Sequence, residues 1–462
     1  MADTPTITTT RRTTGALCGL SLAILLSSLG TSIANVALPT LAETFAAPFG
    51  QVQWVVLAYL LASTVLVVGL GRLGDLFGRR RLLLAGLALF TAASALAGLA
   101  PTLSLMIAAR ALQGLGAAAM MALAMAFVSE TVPQERIGSG MGLIGTMSAV
   151  GTALGPSLGG LLIAGFGWPA IFLVAVPFGL AALALDWRFL PADRASAAVA
   201  RFDFPGAGLL AATLTAYALA MTMGTSAFGP VNAVLLAASA AGMALFILRQ
   251  QRAAVPLIRP AAFHYAGFRA SLAANGLVAT VMMATLVVGP FYLAGALGLG
   301  PAGVGFVLAV GPFVSTASGV VAGRLVDRFG ARRMALGGLA VMVAGALGLS
   351  VLSALLGLAG YVAAIAVLTP GYQLFQAANN AAVMGGVGAG ERGVTSGLLV
   401  LSRNLGLITG ASLMGAIFTL AVGTKAVTRA DPAAIATGMH MTFAVAAALV
   451  LAAFILLAQS KA

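Results

Sequence analysis

From Gly15 onward the chain is a succession of apolar blocks separated by short polar connections. Each block is roughly 20 residues long, the length of α-helix that crosses about 30 Å of hydrocarbon. The blocks run over residues 15–38, 52–71, 82–100, 103–128, 137–164, 168–185 and 206–223. A second set covers 231–248, 271–296, 304–321, 334–355, 360–380, 394–421 and 439–457. The pattern therefore predicts an all-α polytopic membrane protein with fourteen transmembrane helices. An even number places both termini on one side.

Composition sharpens this reading. Hydrophobic residues make up 61% of the chain and charged residues 8%, against about 25% charged in a soluble protein. A soluble enzyme is excluded. Fourteen spans consume about 280 residues, which leaves short loops and two short tails and no room for a domain outside the membrane. The first block is too long and too poor in cleavage signals to be a removable leader. With a single cysteine, Cys18, the chain has no intrachain disulfide and no multi-cysteine metal site; no metal or cofactor is expected.

The net charge of +13 would point to nucleic acid if the basic residues formed a patch, but they are dispersed among the loops. Membrane topology accounts for them. Of the 24 lysines and arginines, 20 fall on the side of the N-terminus, Lys425 and Arg429 fall on the other, and Arg110 and Arg403 lie within spans. Cytoplasmic loops are enriched in these residues, and a miscounted span would scramble the separation. Both ends are thus expected in the cytoplasm, with the chain in the inner or plasma membrane.

A segment recurs. Gly71-Arg-Leu-Gly-Asp-Leu-Phe-Gly-Arg-Arg-Arg81 follows the second span and Gly323-Arg-Leu-Val-Asp-Arg-Phe-Gly-Ala-Arg-Arg333 follows the tenth, at an offset of 252 residues. Two copies in one orientation indicate a parallel repeat about an axis along the membrane normal, as in two-bundle secondary transporters. The division expected is a tail at 1–14, a six-helix bundle at 15–185, loops with an inserted helix pair at 186–270, a second six-helix bundle at 271–457 and a tail at 458–462.

These segments resemble the major facilitator superfamily, and specifically its fourteen-span drug:proton antiporters. The copy at Gly71 to Arg81 is similar to the superfamily's signature loop. Arg110-Ala-Leu-Gln-Gly-Leu-Gly116 is similar to its fourth-span motif, and Gly151-Thr-Ala-Leu-Gly-Pro-Ser-Leu-Gly-Gly160 to the fifth-span motif associated with exporters. Trp54-Val-Val-Leu-Ala-Tyr59 and Asn35-Val-Ala-Leu-Pro39 also fit this branch. The resemblance implies a major facilitator fold, working as a monomer in the lipid bilayer, that exchanges protons for a small-molecule substrate by alternating access. It also implies that Asp75, Arg79 and Glu130 latch the two bundles in the outward-facing state. Asp327 is the repeat counterpart of Asp75, and a bare basic anchor would need neither aspartate.

Candidate site residues follow from polarity inside the spans. Arg110 stands about seven residues into the fourth span, roughly 10 Å deep, where a charge costs around 2.5 to 3.5 kcal/mol and must find a partner or a watered cavity. It reads either as a hydrogen-bonding hub or, with Gln113 from the same motif, as part of the substrate site. Arg403 poses the same question nearer a span end. Gln373, Gln376 and Asn380 share one face of the twelfth span, with Asn379 adjacent, and Thr31 and Asn35 share one face of the first. Gly151, Gly155 and Gly159 lie on one face of the fifth, with Pro156 inviting a kink. Gly155, Pro156 and Gly159 are assigned to gating.

One departure bears on the substrate. The fourteen-span cation exporters commonly carry an aspartate in the first span shortly before the Asn-Val-Ala-Leu-Pro stretch, and here that place holds Gly30. All 11 acidic residues read as loop, tail or span-end positions, so the only buried charges expected are arginines. A cationic solute would meet positive charge with no carboxylate to offset its desolvation. Anionic, zwitterionic or neutral amphiphiles are favoured. An uptake permease for a small organic anion is the alternative. A membrane-embedded enzyme would need a carboxylate pair, a metal cluster or a nucleophile set at membrane depth, and the sequence supplies none.

Overall fold

The computed structural model describes residues 4–67, 70–131, 137–193, 203–222, 229–253, 266–385, 392–424 and 426–460. All regular structure among them is helical: α1 (Thr4–Thr44), α2 (Phe49–Val52), α3 (Trp54–Val67), α4 (Leu70–Phe77), α5 (Arg79–Gly98), α6 (Leu103–Thr131), α7 (Ile137–Phe166), α8 (Ala170–Leu173) and α9 (Ala175–Phe189). There follow α10 (Phe204–Thr222), α11 (Pro230–Arg252), α12 (Ala266–Phe291), α13 (Pro301–Phe329), α14 (Ala331–Gly385), α15 (Arg392–Thr409), α16 (Gly415–Val422) and α17 (Pro432–Gln459). Single turns of π-helix prolong α12 over Tyr292–Ala296 and join α15 to α16 over Gly410–Met414.

Twelve helical stretches among the described residues are long and apolar enough to cross a membrane, so the protein is a multi-pass membrane protein. One of the twelve, Ala331–Val383, is 53 residues long, about 80 Å at 1.5 Å per residue and more than twice the hydrocarbon thickness. It reverses at Gly357, whose φ of 54° and ψ of −124° no helix contains. Beyond that elbow the chain packs back on itself, with Gly338 against Gly371 and Phe375 and Gly345 against Leu368. The apolar run Phe204–Ala220 within α10 is shorter than the twelve.

The sequence repeat returns as backbone geometry. Gly78 ends α4 with φ 92° and Gly330 ends α13 with φ 85°, at the 252-residue offset of the two motif copies. The same offset separates Ala46 (φ 46°) from Gly298 (φ 65°), which turn the chain at the opposite end of the helices. That end is called distal below, and the end holding Gly78 and Gly330 proximal.

Small residues set the packing. In the first set of helices, α1 lies on α7 and α9, and α6 on α3 and α5; in the second, α12 lies on α15 and α17, and α13 and α17 on α14. Gly151, Gly155 and Gly159 all face α1: a Cβ at Gly151 would stand 2.5 Å from the Leu25 carbonyl, one at Gly155 would strike the Ser32 hydroxyl, and one at Gly159 would meet Val36 at 2.7 Å. The pair α10 and α11 forms a hairpin tied at both ends. At one end Asp203 accepts from Arg249 Nε at 2.8 Å, Gln250 Nε2 at 3.0 Å and the Gly206 amide at 3.0 Å; at the other, Asn232 Nδ2 donates to Ala220 O at 2.6 Å. The hairpin leans on α3, and the Tyr217 hydroxyl is 2.6 Å from that of Thr409.

Candidate functional site

The fourth-span motif builds a buried polar hub. Gly114 lies so close to the Tyr59 carbonyl that a Cβ would collide with it, and Gly116 does the same to Gly86 at 2.5 Å. These two approaches bring α3 and α5 within reach of α6's polar side chains. Arg110 Nε donates to Val55 O at 2.8 Å, Nη1 donates to Gln113 Oε1 at 2.5 Å, and Gln113 Nε2 donates to Ser94 Oγ at 2.7 Å. The guanidinium also lies 4.3 Å from the centre of the Tyr59 ring, and the Tyr59 hydroxyl donates to Ser27 O at 2.8 Å. Four helices, α1, α3, α5 and α6, are joined through one cation. A desolvated cation–π contact of this kind is worth about 2 kcal/mol, and each hydrogen bond to a charged group about 1.5 to 3.

Arg110 has no accessible surface and Gln113 almost none. Sequence reading left Arg110 open between a hub and the substrate wall, and the structure places it inside the first set of helices. It does not stand beside the amide stripe of α14. Its Nη2 has no hydrogen-bond partner among the described residues. Asn35 is buried too, its amide spent on Thr31 O and Ser32 O at 3.1 Å each, while Thr31 is half-buried. A Cβ at Gly30 would stand 3.3 Å from the Phe90 ring and 3.4 Å from the Tyr59 hydroxyl. Position 30, where the resemblance leads one to look for an aspartate, therefore faces this packed interior.

On the second set, Gln373 donates to the Ser315 hydroxyl and carbonyl of α13, and Gln376 Nε2 reaches the Tyr372 hydroxyl at 3.2 Å, its carbonyl unpartnered among the described residues. Asn379 is buried with neither amide atom partnered among the described residues, and Asn380 is exposed. Arg403, expected as a buried charge, is exposed, 11 residues into α15.

The fifth-span motif does more than pack on α1. Its other face crosses to the second set: a Cβ at Gly160 would stand 2.5 Å from Pro301 O, and one at Gly305 would strike Pro156 O. The seam between α7 and α13 lies in the distal half. There the Phe49 ring also meets Phe291 edge-on at 4.6 Å and Phe418 at 5.8 Å. A cavity of about 430 Å³ opens above it, lined by Glu43, Phe49, Phe291 and Arg429. Gly305 was missed in the sequence because its spacing fits no motif.

Of the gating candidates, Asp75 and Glu130 have side chains outside the described residues; Asp327 is exposed, and Arg79 opens α5. An unforeseen residue secures this loop. Asp193, beyond α9, accepts from the amides of Arg80 at 2.7 Å and Arg81 at 3.2 Å, capping α5. Arg80 Nη2 donates to Trp187 O at 2.5 Å and its guanidinium sits 5.4 Å from that indole. A second acid, Asp186, was read as a span-end carboxylate outside the buried set. It sits in the last turn of α9, yet it is fully buried, because Gly15 and Gly19 let α1 close over it.

Comparison with known proteins fits this arrangement. The riboflavin transporter RibZ of Clostridioides difficile is 29% identical over 401 residues, covering 86% of this chain and 87% of that one. The multidrug efflux pump LfrA of Mycolicibacterium smegmatis is 32% identical over 421 residues, 90% and 83% of the two chains. Among solved structures, a bacterial homologue of the human lysosomal transporter Spinster, inward-facing and occupied, superposes with a TM-score of 0.68 at 14% identity, covering 96% of each chain. The profile of the Major Facilitator Superfamily matches residues 20–411, and this chain, with its repeated loop and its helices meeting at a distal seam, belongs to that superfamily of membrane transporters.

Proposed function

We propose that the protein is a proton-coupled exporter of small amphiphilic molecules, with anionic, zwitterionic or neutral compounds favoured over cations. It has fourteen spans once the arms of α14 are counted separately and α10 is included. They are arranged as bundles at 15–185 and 271–457 around an inserted pair. Both termini face the cytoplasm, so the proximal end is the cytoplasmic mouth. The protein works as a monomer.

The observation that carries this reading is the seam of Pro156 and Gly160 on α7 with Pro301 and Gly305 on α13. It joins the two sets in the distal half, and on this reading the proximal half is the open one, with the exposed Asn380 and Arg403 along it. Solute entering there meets Thr31, Gln373, Gln376, Asn380 and Arg403. Arg110, Gln113 and Asn35 stand behind this wall, and Arg110 lends it a positive potential with no carboxylate at Gly30 to cancel it. Gly155, Pro156 and Gly159 let α7 rock between α1 and α13. Asp75, Arg79, Glu130 and Asp327 hold the proximal end when it closes. The similarity to a protein named as a riboflavin transporter supports a neutral or anionic ring compound; direction is the point on which an uptake permease differs.

The test uses everted vesicles with an acid-inside gradient. Riboflavin and carboxyfluorescein are expected to accumulate in a chain-dependent manner and to stop when an ionophore collapses the gradient, with ethidium moved several-fold less. Accumulation only in right-side-out vesicles would replace export by uptake. Preferred transport of ethidium would overturn the charge preference, and movement indifferent to the gradient would overturn the coupling.

A further inference from the structure

Asp186 is unlike the other described carboxylates. Asp193 and Asp203 accept hydrogen bonds, Asp431 caps α17, and Glu43 and Asp327 are exposed. Asp186 has no accessible surface, and neither of its oxygens has a hydrogen-bond partner among the described residues. It is clamped from the side by α1, where a Cβ at Gly19 would collide with Oδ1 and one at Gly15 would strike the Phe189 ring at 2.5 Å.

The charged and titratable groups around it are accounted for element by element. On α5, Arg80 is engaged with Trp187 and Arg81 is exposed, while Arg79 opens the helix with a partner of its own. On α9, Arg188 lies 5.7 Å from the Phe189 ring. On α1, Cys18 is exposed, and the side chains of Arg11 and Arg12 are outside the described residues. The short helix α8, also packed on α9, offers no charge. A carboxylate without water or donors gives up its solvation for nothing and takes a proton instead.

We propose that Asp186 is a proton-binding site whose occupancy is set by the contact between α1 and α9. With α1 seated, the carboxyl is held in its protonated form. When α1 lifts from α9, water reaches Oδ1, the O–H bond breaks, and the proton passes to water on the proximal side, leaving a solvated carboxylate. The same helix carries Thr31 and Asn35 and packs on Gly151, Gly155 and Gly159 of α7, so a movement of α1 joins proton release to the chamber and the distal seam. This use of the proton rests on the exporter reading above; proton binding at Asp186 does not.

The experiment is infrared difference spectroscopy on the full chain in lipid nanodiscs across a pH series. Wild type is expected to show the C=O band of a protonated carboxyl that fades as pH rises. Asp186→Asn should lose that band, Asp186→Glu should keep a shifted one, and Gly19→Ala, which pushes the carboxyl toward water, should move the midpoint to lower pH. If Asp186→Asn fails to fold, Gly19→Ala and Asp186→Glu decide the matter: an unmoved band in both overturns the site. A band that persists in well-folded Asp186→Asn overturns it as well. In the vesicle assay with riboflavin, Asp186→Asn is expected to abolish the dependence on the pH gradient. Full gradient-driven transport by a variant lacking the band would overturn the coupling role while leaving the site. A wild type that moves no probe would overturn the exporter reading alone.

Discussion

The two copies of the repeated loop share one docking device, and only one of them is also held by a carboxylate from outside the loop. Arg80 and Arg332 are equivalent at the 252-residue offset. Each donates Nη2 to a main-chain carbonyl near the end of the last helix of its set, Trp187 O at 2.5 Å and Ala458 O at 2.9 Å. Helix ends leave carbonyls unsatisfied, and a cation there answers both the open acceptor and the helix dipole. Only the first copy adds Asp193, which caps α5 and fills the space beside Gly78. At Gly330 nothing among the described residues occupies that space. The turn and the arginine clasp thus recur in both copies, while among the described residues a carboxylate ties down the first alone.

The largest break in this comparison is expected at the turn glycines. Gly78→Ala forces a left-handed backbone, at about 1 to 2 kcal/mol, and also evicts the Asp193 carboxylate. Gly330→Ala pays only the first cost. Thermal unfolding of the purified variants should show the Gly78 substitution lowering Tm clearly more, and equal shifts would refute the asymmetry. Next comes Asp193→Ala, which takes the acceptor from the first amides of α5 and, like loss of a capping side chain, should cost about 1 kcal/mol, against less than about 0.5 for Asp327→Ala, an exposed site. The same unfolding series measures both.

The smallest effect concerns the inserted hairpin, whose acid clasp parallels that of Asp193. Burial pushes the Asp203 carboxyl up, but bonds from Arg249, the Gly206 amide and Gln250 outweigh it and hold the group below its ordinary value of 3.8. A depressed carboxyl stabilises the fold above that value and ceases to do so as pH falls through the lowered one. Arg249 is 43% exposed, so the contribution is screened and modest. Hydrogen exchange at the start of α10 should quicken only in that acid range, and Asp203→Asn should remove the acid dependence; exchange that accelerates near neutrality would contradict the assignment.

What the sequence revealed follows from how each feature is written in it. The repeat was readable because a reversal between helices demands glycine with positive φ, and Gly78 and Gly330 stand at fixed places among arginines. The elbow at Gly357 falls in the gap left between the spans ending at 355 and beginning at 360. Arg110 announced itself by the cost of its charge, but its partner is the Val55 carbonyl, and a main-chain acceptor leaves no mark in a sequence. Asp186 was misjudged because its burial is decided by Gly15 and Gly19, more than 160 residues earlier. Gly305 was invisible for the same reason: a close approach across two helix sets has no local signature.

The reversal at Gly357 has a mechanical corollary. With no connecting loop, the two arms of α14 have no slack to tilt independently, so a swing imposed on the second arm, which carries Gln373 and Gln376, is passed to the first arm and on to α17, against which α14 packs. The joint acts as a rigid crank: insertion of a few flexible residues there would leave both spans in place yet uncouple one side of the machine from the other.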